Sequence, residues 1–135
     1  MRVNRNLCLL ALTMFIVGTD GFVVAGVLES VARQTGVSVE AAGQLITVFA
    51  LAYAISGPAI ASVLGRMDRK RFLLLSLAVF TGGNLVVALS SDYALLIAGR
   101  MVSAIGAAGV TPAVVTIAGM TAQPERRGRA ISLVF

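Results

Sequence analysis

Histidine and tryptophan are both missing from this 135-residue chain, and Cys8 is its single cysteine. Without histidine it lacks the commonest metal ligand and the side chain most often used as a general base. One cysteine permits neither an intrachain disulfide nor a thiolate metal cluster. Cys8 reads as a small packed or lipid-facing residue. Charged residues make up only 13% of the chain, where a soluble domain carries about 25%. No nucleophile, metal cluster or phosphate-binding loop stands out, so the sequence gives an enzyme no support, and neither cofactor nor metal is expected.

What is abundant is apolar. Hydrophobic residues form 58% of the chain and gather into four runs, Leu7–Leu28, Gly43–Leu64, Phe72–Leu89 and Ala94–Gly119. A hydrocarbon core of about 30 Å needs roughly 20 apolar residues of helix. The third run is slightly short, and Ser90 and Ser91 extend it to 72–91. Lipid satisfies no backbone polar group, so spans of this composition must be helices. The expected fold class is all-α, a polytopic transmembrane helix bundle. Arg2 and Arg5 before an apolar stretch resemble a signal peptide, but the stretch is too long and lacks a clean cleavage site, which makes it an uncleaved first span. The longest connection is expected over Glu29–Ala42, with Ser38 as N-cap of the second span. Apolar residues resume at Ala130, so an incomplete fifth span is expected from about 129, and 1–135 reads as one partial transmembrane domain.

The net charge of +5 could indicate nucleic acid. Its placement argues otherwise. Arg2 and Arg5 precede the first run, Arg66, Arg69, Lys70 and Arg71 lie between the second and third, and Arg126, Arg127 and Arg129 follow the fourth. Only Arg33 falls on the opposite side. The positive-inside rule then puts the N-terminus and the basic loops in the cytoplasm, and no nucleic-acid partner is expected.

Small residues recur at helical spacing, Gly99, Ser103 and Gly106 on the fourth run and Gly57, Ala61 and Gly65 on the second. Such faces let helix backbones approach closely. Gly109 continues the first set. Pro58 and Pro112 lie inside spans and should kink them; a packing kink and a gating hinge are both open there. Two ionisable residues, Asp20 and Arg100, fall inside spans, where a charge costs about 2.5–3.5 kcal/mol on insertion scales. Counting from the span ends places Asp20 about 12 Å and Arg100 about 9 Å below the same membrane surface. A static ion pair and transport chemistry are both open readings. Gln44, Thr47, Tyr53, Ser56 and Asn84 could line a substrate path or make interhelical hydrogen bonds; Asn84 is preferred because it sits near mid-membrane.

The stretches Gly18-Thr-Asp-Gly-Phe-Val-Val-Ala-Gly-Val-Leu28, Thr35-Gly-Val-Ser-Val-Glu-Ala-Ala-Gly-Gln44 and Tyr53-Ala-Ile-Ser-Gly-Pro58 resemble the major facilitator superfamily. More narrowly, they are similar to its arabinose-efflux-permease-like branch of drug:proton antiporters. The resemblance covers the first four spans and the start of the fifth in a twelve-span family. It implies a partial N-terminal half. The superfamily's loop between helices two and three falls on Ala61, Gly65, Arg66, Asp68, Arg69, Lys70 and Arg71. The basic positions match, while Gly65 stands where an acid is usual and Asp68 where a glycine is. The resemblance gives this loop a role in cytoplasmic gating. The fourth-helix signature, an arginine followed by small residues, reads Arg100-Met-Val-Ser-Ala-Ile-Gly-Ala-Ala-Gly109 and links Arg100 to proton coupling. Relatives often carry an acid immediately before the phenylalanine; here Gly21 holds that place and Asp20 precedes it.

The resemblance implies secondary active, proton-coupled efflux of a small molecule, a sugar or a drug, across a bacterial inner membrane. Expected partners are the lipid bilayer, the substrate, protons, and the remaining transporter half or another copy. A non-transporting fragment or split-transporter subunit is the alternative, and a small homo-oligomeric exporter is a third.

Overall fold

The computed structural model describes residues 5–64, 67–122 and 127–134. They form five helices, α1 (Arg5–Thr35), α2 (Val39–Leu64), α3 (Arg69–Leu89), α4 (Tyr93–Thr121) and α5 (Arg127–Ser132). The first four contain stretches long and apolar enough to cross a membrane. Their outer faces carry bare hydrophobic side chains, with Phe22 81% and Ile55 75% exposed. Water would not tolerate such a surface at this density, whereas acyl chains match it. The chain is a multi-pass membrane protein.

Local sequence sets the helix ends. Gly36 terminates α1 with φ of +71°, a left-handed conformation that glycine reaches without a Cβ clash. The Ser38 hydroxyl accepts from the Ala41 N–H at 3.1 Å, so Ser38 caps α2 as expected. Asp68 caps α3 by accepting from Arg71 N–H, and Asp92 caps α4 by accepting from Leu95 N–H, each at 3.0 Å. A carboxylate there satisfies an orphan donor and complements the positive end of the helix.

Two boundaries differ from expectation. The connection expected over Glu29–Ala42 shrinks to Gly36, Val37 and Ser38, because no glycine or proline interrupts Glu29–Thr35. The apolar run marks what lies in lipid, and the helix continues past it. Ser90 and Ser91 do not extend the third span. Ser90 is extended, and its hydroxyl accepts from the Asp92 N–H at 3.2 Å, which turns the chain into the α4 cap. The described part of the fifth helix runs Arg127–Ser132.

α4 is the centre of the bundle and touches each of the other four helices. One of its faces is built of small residues against α3. A Cβ on Gly83 would press on Ser103 N and stand 2.7 Å from Gly99 O. A Cβ on Gly106 would press on the Phe80 backbone, 2.7 Å from its Cα. Gly109 lies against Ser76. The other face meets α1 and α2 with larger groups. Around α4 the interior divides into two apolar clusters. One holds Leu10, Val17, Phe80, Val110 and Val114; the other holds Val24, Leu45 and Leu96 toward the opposite end. Pro58 and Pro112 lie within the continuous helices α2 and α4. Gly57 has no neighbouring atom within 4 Å of a Cβ position, and Pro58 is exposed. The small-residue face expected on α2 therefore meets no other helix at Gly57, while Gly65 lies outside the described residues.

Gly83→Ala and Gly106→Ala are expected to destabilise the bundle by about 1–3 kcal/mol each, the usual cost of overpacking. Gly82→Ala, in open space on the same helix as Gly83, should leave stability unchanged. Unfolding in mixed micelles followed by circular dichroism measures the difference.

Candidate functional site

On α1 the buried residues Leu10, Val17 and Val24 recur every seven positions, the stripe of a helix packed at a shallow angle on its neighbours. Asp20 lies three residues after Val17 and four before Val24, so it falls on that same inward stripe. Gly21 is turned by about 100° and borders the adjacent groove instead. On α4, Arg100 lies one turn after Leu96 and one before Ala104, both buried.

The structure brings these two charges together. Arg100 Nη1 donates to Asp20 Oδ2 at 2.9 Å, with the side chains 1% and 13% exposed. The pair forms a polar layer between the two apolar clusters. It leaves the guanidinium incompletely bonded, since Arg100 Nε and Nη2 are buried without a hydrogen-bond partner. Phe49 of α2 supplies the remaining compensation. Its ring centroid lies 4.1 Å from Arg100 Cζ, within the range where the negative face of an aromatic ring attracts a cation, by about 2 kcal/mol when both are desolvated. A carboxylate on one side and a ring on the other hold a charge that the apolar bundle would otherwise reject.

Beside this layer an open groove of about 1120 Å³ runs between α1, α2 and α4, with the end of α5 at its margin. Met14, Phe15, Phe22, Phe49, Tyr53 and Thr111 shape it. Tyr53 and Thr111 join α2 to α4 through a hydroxyl–hydroxyl hydrogen bond of 3.1 Å. The rings of Phe49 and Tyr53 stack one helical turn apart, with centroids separated by 6.4 Å.

Other sequence-selected residues lie elsewhere. Asn84 donates to Phe80 O on its own helix at 3.2 Å and does not line the groove. Ser103 is fully buried and donates to Arg100 O at 3.0 Å. Gln44 and Thr47 are exposed and Ser56 is half-buried. Arg69, Lys70 and Arg71 are exposed at the start of α3. Arg69 and Lys70 border a second groove of about 610 Å³ between α1, α3 and α4, and the Asp68 carboxylate serves as helix cap. Gly65 and Arg66 of the same loop lie outside the described residues. Pro112 is half-buried next to Thr111. Phe49 was not singled out from the sequence, although its spacing of four from Tyr53 places both rings on one face of α2.

An antiparallel bundle of membrane-length helices around a buried Asp–Arg pair defines a polytopic helical membrane protein with an intramembrane charge site. The family model of the Major Facilitator Superfamily matches residues 10–135, and the chain belongs to that superfamily. It is 36% identical to the MFS-type transporter YbcL of Bacillus subtilis over 93% of this chain and 32% of the relative. Identity to the inner membrane transport protein YdhP of Escherichia coli is 28%, over all of this chain and 35% of the relative. Identity to the chloramphenicol efflux pump Rv0191 of Mycobacterium tuberculosis is 31%, over 99% of this chain and 32% of the relative. The chain thus spans about a third of the length of the relatives it matches.

Asp20→Asn leaves the guanidinium without its counter-charge and Arg100→Gln strands the carboxylate. Each is expected to cost about 3–5 kcal/mol, and the double variant less than the sum. Folded yield and mixed-micelle unfolding of the four proteins close this cycle; additive effects would show that the two side chains act separately.

Proposed function

We propose that this chain forms part of a secondary active transporter that exports a small molecule in exchange for inward-moving protons. Asp20 is the protonatable group and Arg100 its partner. The observation that carries the reading is the buried 2.9 Å pair in an apolar bundle. A proton arriving at Asp20 converts the carboxylate to a neutral acid. The coulombic attraction to Arg100 is lost, and in a low-dielectric interior that attraction is far stronger than in water. Proton binding therefore changes how firmly α1 is held to α4. That is the linkage a coupled carrier needs, since a proton can shift a conformational equilibrium only by interacting differently with its two states.

The groove beside the pair supplies a path for the exported molecule, a drug or a sugar. Family membership and the efflux activity named for one relative support export. The basic residues of this chain favour a cytoplasmic N-terminus in a bacterial inner membrane, with the exposed Arg69, Lys70 and Arg71 at the cytoplasmic gating loop. Substrate sites in such folds lie between repeats, so the working unit includes the remaining transporter half or another copy.

Three experiments test these assignments. In a Cys8→Ser background, an impermeant thiol reagent added to intact cells should label Thr35→Cys and leave Arg69→Cys unlabelled; the opposite pattern reverses the topology. Proteoliposomes holding the 135-residue chain alone should show no substrate-driven proton movement. In everted membrane vesicles from cells expressing the native gene, accumulation of labelled chloramphenicol or L-arabinose should need a pH gradient and fall to background in Asp20→Asn. Gradient-independent accumulation, or accumulation untouched by Asp20→Asn, removes Asp20 from the coupling role.

A further inference from the structure

Phe49 belongs to two sites at once. Its ring lies over the Arg100 guanidinium, and the same side chain lines the 1120 Å³ groove. Neither Asp20 nor Arg100 borders that groove. A molecule seated there reaches the ion pair through the ring. The ring matters to the pair because Arg100 has little else: one hydrogen bond to Asp20, and two buried nitrogens with no acceptor among the described residues.

The groove's chemistry restricts what can sit in it. No charged side chain lines it among the described residues. Its hydroxyl groups come from Thr19, Tyr53 and Thr111, and two of their three donors are engaged. Thr19 Oγ1 donates to Phe15 O at 2.7 Å, and Tyr53 donates to Thr111 Oγ1 at 3.1 Å. A sugar would bury a shell of hydroxyls with few partners, and each one left unpaired is costly. A charged molecule would face no counter-charge. An uncharged aromatic molecule with one or two polar groups meets Phe49 and Tyr53 and loses little.

We propose that the groove takes an uncharged aromatic substrate that packs on Phe49 and Tyr53, and that Phe49 is the positioning residue joining substrate to proton. Substrate moves or fixes the Phe49 ring. The ring's cover over Arg100 changes, and with it the charge balance felt by Asp20. This rests on the proton-exchange reading above and adds to it the substrate class and the residue that links the two sites. Few other groups could carry the pH response. Along the middle of each helix the titratable side chains are Asp20 of α1 (9–28), Tyr53 of α2 (41–64) and Arg100 of α4 (94–121), and α3 carries none from Phe72 to Leu89; Cys8, Glu29, Arg33, Glu40 and Tyr93 lie toward the helix ends.

The test is equilibrium binding of labelled chloramphenicol, as the uncharged aromatic probe, to membranes from cells expressing the native gene. L-Arabinose is the competitor, and a pH series is run on each protein. Chloramphenicol should bind saturably, arabinose should not displace it, and the affinity should change with pH. Phe49→Leu should weaken binding about two- to tenfold, the loss of one aromatic contact, and flatten the pH dependence; Phe49→Tyr, which keeps the ring, should restore both. Phe49→Met serves in place of Phe49→Leu if the latter fails to accumulate in the membrane. If Asp20→Asn flattens the pH dependence while loss of the Phe49 ring weakens binding and leaves that dependence intact, the linking role of Phe49 is overturned and the proton reading stands. If Asp20→Asn leaves the pH dependence unchanged, the proton reading itself falls. Absence of saturable chloramphenicol binding, or its displacement by arabinose, overturns the substrate class.

Discussion

A guanidinium only 1% exposed in the middle of an apolar helix bundle is the constraint around which the other contacts are arranged. An uncompensated charge in that position would cost several kcal/mol. Two helices contribute to holding it, α1 with the Asp20 carboxylate and α2 with the Phe49 ring. The seven-residue stripe on α1 places Asp20 inward, and the register of α2 against α4, fixed by the Tyr53–Thr111 and Tyr93–Ala41 hydrogen bonds, brings Phe49 level with Arg100. The apolar clusters lie on either side of the pair along the bundle.

α4 can carry this charge because its two faces do different work. The face of Gly99, Ser103, Gly106 and Gly109 is stripped of side-chain bulk, and α3 packs directly on its backbone. In a membrane, where burying apolar surface gives no advantage over lipid, such close approach is the main source of helix association. α3 and α4 thus make a tight unit. The contacts on the opposite face pass through longer side chains and one ionisable pair. An ion pair joins α1 to this unit, whereas α3 is joined to α4 by backbone packing.

The groove lies on the side where α1 and α2 splay from α4, and its lining is aromatic where it approaches the ion pair. An apolar groove next to a buried charge keeps the two environments separate, because neither Asp20 nor Arg100 lines the groove. A ring common to both is the simplest physical link between them. The chain belongs to the Major Facilitator Superfamily and spans about a third of its relatives' length.

Much of this was legible in the sequence. Run lengths gave four spans because lipid leaves the backbone no alternative to helix. Two charges inside apolar runs stood out because so few residues there are polar, and equal depth with opposite sign suggested that they meet. Ser38 could be read as a cap, since capping is local. Helix ends were less visible: Glu29–Thr35 lacks apolar character yet continues α1 until Gly36, and Ser90 serves the next helix's cap instead of its own. The rotational setting of each helix was decided only by tertiary packing. Sequence could not say whether Asp20 or Gly21 faced inward, that Gly57 met open space while Gly106 met Phe80, or that Asn84 would bond to its own helix. It could not select Phe49, because a phenylalanine in a membrane span is unremarkable until a buried guanidinium is found 4.1 Å from its ring. Hydrophobicity and charge are properties of the chain, whereas the facing of one side chain toward another depends on how three helices rotate and slide to shelter a single positive charge.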